Sequence, residues 1–172
     1  MIIETFIREV RDFPRPGVGF KDLTPLLADA DAFAASIGQL VAPYRDVGVD
    51  AVCGIEARGF IFGAAAALAL NCGFVPLRKP GKLPAARIGV DYALEYGHDR
   101  LEMHADALLA GQRVLLVDDV LATGGTLAAA AALVEQGGAA IAGAAIVVEI
   151  APLGGRARWS RPSPLHAVVV YR

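Results

Sequence analysis

Thiols, imidazoles and basic clusters are scarce in this chain. Its 172 residues carry two cysteines, Cys53 and Cys72, and three histidines, His98, His104 and His166. Their spacing matches no metal-ligand pattern. Both cysteines lie in apolar runs, so buried, reduced thiols in a cytoplasmic protein are expected rather than a disulfide framework. Lys and Arg number 16 against 18 Asp and Glu, a net charge of −2. That balance, with no Lys/Arg block, argues against nucleic acid or an anionic membrane as partner. No GxxxxGKS or GxxxxGKT occurs, which excludes a Walker A loop, and the lack of GxGxxG disfavours a dinucleotide fold. Heptads, fixed-period repeats and low-complexity linkers are missing too. One uncharged run, "GFIFGAAAALALNCGFVPL" (59–77), is about long enough to span a bilayer. It is mostly Ala and Gly and is broken by Asn71 and Pro76, so it reads as a small-residue helix followed by a buried strand. The N-terminal "MIIETFIREVRDFP" is charged and amphipathic, unlike a signal peptide.

What is present is apolar and small. Hydrophobic residues make up 55% of the chain and charged residues 20%, a globular composition at a length that fits one domain. Residues 2–10 read as a short amphipathic helix, and the Pro- and Gly-rich 12–29 as loop with brief ordered pieces. Asp31 is placed to cap a helix running to about Tyr44. "VDAVCGI" (49–55) reads as a buried strand, and "EARGF" then turns the chain into a helix over 59–70. Further strands are expected at 74–79, 113–119, 140–150 and 165–171, a helix at 125–136, and a short helix in "DALLAGQ". Residues 80–100 are polar, Gly/Pro-rich and too long for an ordinary connection, so a functional flap or a hairpin is expected there. Strands alternating with helices predict an α/β fold with a parallel sheet covered on both faces. Ligands of such sheets bind beyond the carboxyl ends of the strands. That directs attention to Glu56–Gly59, Arg78–Lys82, Asp118–Thr126 and Glu149–Leu153.

The stretch "VLLVDDVLATGGT" (114–126) carries the most chemistry. Its "ATGGT" leads straight into a helix, whose first N–H groups lack partners and whose dipole favours an anion. Thr123 and Thr126 add hydroxyls, and glycines let the backbone approach a phosphate. Two carboxylates would repel that phosphate, so Asp118 and Asp119 need another task. Sugar hydroxyls, or water on Mg2+, suit them. A ribose 5-phosphate lying along the loop satisfies both halves. The plainer alternative is a strand–turn–helix with Asp119 as the cap and Asp118 solvated.

The same stretch resembles the signature that binds phosphoribosyl pyrophosphate in type I phosphoribosyltransferases. "FPRPGVGFKDLTPLL", "GIEARGFIFG", "RKPGKLP" and "YALEYG" resemble segments of the family's adenine-using branch, in the same order. The likeness spans roughly residues 8–153 and fades past Leu153. It implies one type I phosphoribosyltransferase-like domain over 1–172: a twisted, mostly parallel sheet flanked by helices, a small N-terminal hood over 1–30 that contacts the base, and a flexible catalytic flap over 80–100. The implied reaction displaces pyrophosphate from the ribose anomeric carbon by a purine nitrogen, with Mg2+ and an oxocarbenium-like transition state. With adenine the product is AMP.

By resemblance, Ala122, Thr123, Gly124, Gly125 and Thr126 cradle the 5-phosphate, and Asp118 and Asp119 bind the ribose hydroxyls. No side chain is expected to bind Mg2+ directly; the substrate holds it, with water reaching Asp118 or Asp119. Glu56, Ala57 and Arg58 match the pyrophosphate loop, where a non-proline cis peptide between Glu56 and Ala57 is expected. Arg58 would face pyrophosphate or the base, against the alternative of a salt bridge to Glu56. Arg78, Lys79 and Lys82 would neutralise the leaving diphosphate, against the alternative of a solvated turn. In oligomeric relatives some of these cations reach the neighbouring subunit. Pro80 stands where the family carries an Arg or another residue, a difference expected to change the stiffness of the loop hinge more than its charge. Glu95 matches the general acid/base near the purine, and Tyr96 packs beside it. Phe20 and Lys21 match a segment whose backbone reads the purine edge, and Ile150 an apolar residue against the ring. Gly19 stands where relatives often carry an apolar residue. A homodimer is expected. The competing readings are a regulator built on the same fold and a transferase for another purine. The basic "GGRARWSRP", with the single Trp, reads as a connecting loop, a guanidinium–aromatic surface or a subunit contact.

Overall fold

The computed structural model describes residues 1–93 and 97–172. The first elements are β1 (Arg8–Val10), β2 (Phe20–Asp22), α1 (Thr24–Ala28), α2 (Ala30–Val41), β3 (Ala51–Ile55), α3 (Gly59–Leu70) and β4 (Gly73–Leu77). They are followed by β5 (Arg87–Ala93), β6 (His98–His104), β7 (Arg113–Leu121), α4 (Gly125–Gln136), β8 (Ala140–Ile150) and β9 (Leu165–Tyr171). Five strands form a parallel sheet in the order β4–β3–β7–β8–β9. β1 with β2, and β5 with β6, make separate antiparallel pairs.

Alternation along the central strands splits the core in two. Cys53, Ile55, Val114, Leu116 and Ile146 meet Leu127, Ala130, Leu133 and Val134 of α4 and Leu101 and Met103 of β6. Val52, Leu115, Val117, Ala145 and Val147 turn to the opposite face, against Phe62 and Ala66 of α3 and Leu40 of α2. Successive strand side chains point to opposite sides. A strand buried on both faces is therefore apolar throughout, which is why these segments read as unbroken hydrophobic runs. The chain leaves β3 toward β4 on one side and β7 toward β8 and β9 on the other. The crevice beyond the carboxyl ends of β3 and β7 is thus the topological switch point, where open α/β sheets bind ligands.

Four local expectations change. Residues 2–10 do not form one helix: a 3-10 turn over Ile3–Phe6 gives way to β1, which pairs with β2. So short a helix is marginal alone, and the strand partner decides. Asp29, rather than Asp31, caps α2, its carboxylate accepting the Ala32 N–H at 2.8 Å. No helix forms in "DALLAGQ"; Gly111 is left-handed (φ +79°) and the Gln112 side chain accepts the Leu109 N–H. β7 runs on to Leu121, so both aspartates lie inside the strand. The run 59–77 is α3, then β4, as expected, and among the described residues no helix is long and apolar enough to cross a membrane.

Candidate active site

At the carboxyl end of β7 the chain turns through Ala122–Gly124 into α4. Gly124 is left-handed (φ +82°), and no side chain caps the helix. Its leading N–H groups are left for a ligand. A small cavity of about 80 Å³ sits there, lined by Asp118, Ala122–Thr126 and Ile146. That is room for a few waters or one tetrahedral oxyanion.

The two carboxylates differ in setting. Asp119 is buried, and its Oδ2 lies 2.5 Å from Arg58 Nε in an ion pair that lacks hydrogen-bond alignment. Asp119 therefore does not cap the helix. Asp118 Oδ1 accepts the Asp119 N–H at 2.9 Å. Burial, and then the Asp119 charge, push the Asp118 carboxyl well above the usual carboxylate range, with Arg58 opposing them. Gly59 lets α3 come close: a Cβ there would stand 2.7 Å from Asp118 Oδ1.

The Glu56–Ala57 peptide bond is cis. Arg58 turns to Asp119 rather than to Glu56, and its guanidinium lies 4.9 Å from the centre of the Phe20 ring. It thus links the carboxylate pair to the hood. The Glu56 carboxylate points to the cationic loop instead, accepting the Lys79 N–H at 2.8 Å and pairing with Arg78 Nε at 3.3 Å. Arg78 also donates to the Lys82 carbonyl, and its backbone pairs with Glu102 in both directions at 2.8 Å. Lys82 is exposed, and its ammonium has no ion-pair partner among the described residues. Lys79 faces inward: Nζ bonds the Asp99 carboxylate and the Tyr92 hydroxyl. Burial alone would lower the Lys79 pKa and raise that of Asp99, but their mutual bond moves each the other way.

The hood presents Phe20 edge-on to Phe13, with ring centres 5.1 Å apart. Lys21 Nζ lies 3.8 Å from the centre of the Tyr171 ring and 3.4 Å from Glu9. Lys21 and Ile150 line an open cleft of about 910 Å³ with Gly17, Val18, Gly19 and Tyr171. A Cβ on Gly19 would meet only Glu9 Oε1, at 3.5 Å, so that wall has space. Phe20 does not line the cleft; its ring lies under Arg58. Glu95 and Tyr96 fall outside the described residues.

Several site residues escape sequence reasoning. Tyr92 and Asp99 are cross-strand partners in the antiparallel pair β5–β6, a register that the expected hairpin in 80–100 does not fix. Buried Glu102 gathers Arg87, Arg100 and the Gly81 N–H. Past β8, a turn over Gly155–Arg158 backs the loop between β7 and α4, and a Cβ on Gly155 would collide with the Ala122 carbonyl. Arg156 anchors that turn through both oxygens of buried Glu149. Arg158 Nη1 lies 3.4 Å from where a Cβ on Gly125 would stand. Further on, Arg161 stacks near Trp159 and pairs with Glu135. Contacts that close from distant segments leave no periodic signal.

The profile of the phosphoribosyl transferase domain matches residues 21–164. The chain is 56% identical over 165 residues to an adenine phosphoribosyltransferase of Xanthomonas campestris pv. campestris (strain B100), covering 96% of this chain and 89% of that one. It resembles the crystal structure of adenine phosphoribosyltransferase from Thermoanaerobacter pseudethanolicus with a TM-score of 0.94 at 47% identity, over 98% of both chains. The Saccharomyces cerevisiae enzyme, solved with an imino-altritol bisphosphate and adenine, matches with a TM-score of 0.90 at 37% identity, over 96% of each chain. A domain profile matched over residues 21–164, with relatives this similar along nearly the whole chain, places the protein in the phosphoribosyltransferase family, among the adenine phosphoribosyltransferases.

Proposed function

We propose that the chain forms AMP and pyrophosphate from adenine and 5-phosphoribosyl 1-pyrophosphate, a purine-salvage transfer. One observation carries most of this reading: the uncapped N-terminus of α4, with its 80 Å³ cavity, directly follows two carboxylates at the switch point. The cradle Ala122–Thr126 takes the 5-phosphate through backbone N–H groups and the helix dipole. Asp118 and Asp119 accept from the ribose hydroxyls and fix the ring. The bond from C1′ to the pyrophosphate oxygen breaks with its electron pair, and a bond from C1′ to a purine ring nitrogen forms. The proton of that purine leaves to a nearby base, for which Glu95 beside Tyr96 is the candidate. The backbone of Glu56–Arg58 and the cations Arg78, Lys79 and Lys82 balance the charge gathering on the leaving group. Ile150 and the Phe20–Lys21 backbone hold the base, whose donor at position 6 must meet an acceptor. The hood (1–30) and the flap (80–100) belong to this one domain and exclude water when closed.

Phosphoribosyltransferases generally use Mg2+ with phosphoribosyl pyrophosphate. The donor set here suits an ion carried by the substrate. Asp118 and Asp119 supply acceptors that water can bridge. Bound there, the ion would offset charge on the diphosphate. A homodimer is part of the proposal. Its support is the outer face of α3, where Ile61 and Leu68 are 42% and 84% exposed. So is a cytoplasmic setting, which keeps the free thiols of Cys53 and Cys72 reduced.

The test is AMP formation from adenine, phosphoribosyl pyrophosphate and Mg2+, with hypoxanthine and guanine alongside. Turnover of adenine alone is the expected result. A preference for another purine rejects the substrate assignment. Binding of phosphoribosyl pyrophosphate without turnover would favour a sensor.

A further inference from the structure

The segment from 156 to 161 holds three arginines. Two are matched to carboxylates, Arg156 to Glu149 and Arg161 to Glu135. The third, Arg158, is exposed, and its guanidinium has no hydrogen bond or ion pair among the described residues. The backbone that carries it is nevertheless held. Arg156 Nη1 donates to the Leu165 carbonyl at 2.9 Å, and the Trp159 indole N–H donates to the Ser163 carbonyl at 2.7 Å. Gly155, at the start of the turn, lies against the backbone of Ala122 and Gly124. The turn thereby sets Arg158 beside the first residue of α4. Its Nη1 is 3.4 Å from where a Cβ on Gly125 would stand.

We infer that Arg158 binds the 5-phosphate, adding a charged fork to the backbone N–H groups of Ala122–Thr126. This rests on the proposed function. The charge balance of the cradle calls for such a group. A phosphate monoester carries close to two negative charges at neutral pH, whereas a helix N-terminus offers about half a positive one. No Lys or Arg lies within Ala122–Thr126, and two carboxylates, Asp118 and Asp119, stand just before it. Three of the cations assigned to the diphosphate are engaged by carboxylates: Arg58 by Asp119, Arg78 by Glu56 and Lys79 by Asp99. Arg158 has no such partner to give up, so meeting the anion costs it only side-chain freedom. Its planar guanidinium can donate to two phosphate oxygens at once. The Arg156–Glu149 pair keeps its own charge neutralised and leaves Arg158 as the cation that the turn presents.

The experiment titrates the full chain with ribose 5-phosphate by calorimetry at several salt concentrations, and separately with pyrophosphate and Mg2+. Arg158→Gln keeps a long polar side chain and removes the charge. It is expected to weaken ribose 5-phosphate binding by about tenfold or more, the low end for a lost hydrogen bond to a charged group. Its ribose 5-phosphate affinity should also fall less steeply with added salt than that of the wild type, because one screened attraction is gone. Pyrophosphate affinity should stay within about threefold. Arg158→Lys, a point charge without the fork, should bind ribose 5-phosphate more tightly than Arg158→Gln and less tightly than the wild type. An unchanged ribose 5-phosphate affinity in Arg158→Gln overturns the inference. So does an equal loss for both ligands, which would make Arg158 a structural residue. If AMP still forms under either outcome, only this assignment is lost. If the wild type binds neither ligand, the functional reading falls with it.

Discussion

Asp118, proposed to bind the ribose, is a cost to the fold. Its carboxyl is held above its ordinary range by burial and by the neighbouring Asp119 charge. A carboxyl with a raised folded pKa lends its full stability below the unfolded value of about 4. That stability is lost as the pH climbs toward the folded value, because the charged form is disfavoured in the fold. Asp118→Asn removes the penalty without changing shape. The variant should match the wild type in denaturant melts near pH 3.5 and gain on it steadily toward pH 7. Its transfer activity should fall about 100-fold, the scale of loss when a reacting group is misplaced. A variant that unfolds at neutral pH would make Asp118 a structural residue.

Turns and helices carry the next set of consequences. The Gly155–Arg158 turn touches the phosphate loop backbone to backbone, and Arg156 pins it to Glu149. Gly155→Ala must push the two apart. Overpacking of this kind costs about 1–3 kcal/mol, and it falls on the backbone of Ala122 and Gly124. The KM for phosphoribosyl pyrophosphate should rise about tenfold or more, read from initial rates, while the adenine KM stays near its wild-type value. An unchanged KM would mean that the turn yields and the loop does not depend on it. Gly38 in α2 is the control, because nothing lies within 4 Å of a Cβ there. Gly38→Ala should stabilise the protein by about 0.5–1 kcal/mol in a chemical melt, through helix propensity alone.

For the whole molecule the open question is association. A helix apolar on every side is normally buried on every side, yet α3 leaves Ile61 and Leu68 to solvent. A two-fold contact through this face would cover both. Light scattering at micromolar concentration should return twice the 17.9 kDa chain mass. Leu68→Asp should shift that mass toward one chain, since a dimer would bury its charge. A single-chain mass for the wild type would reject the dimer.

Much of the fold is legible in the residues because it rests on local period. α3, α4, β8 and β9 begin and end where their runs of apolar residues do. The turn from β7 into α4 is equally legible, since one continuous segment carries its glycines, threonines and carboxylates. Pairings across the chain are not. That Arg58 turns to Asp119 and Glu56 to Lys79 depends on how β3, β4 and β7 sit side by side. Residues 2–10 change from helix to turn and strand because Phe20–Asp22 offers an edge. The amino-acid sequence by itself determined the alternation of strands and helices, the glycine-rich turn into α4 and the family likeness, because each lies within one stretch of chain. Only the tertiary structure decided which carboxylate holds which cation and that Lys79, Asp99 and Thr126 meet at the Tyr92 hydroxyl. Those contacts form between side chains far apart in sequence, brought within hydrogen-bond range by the packing of the sheet and its hairpin.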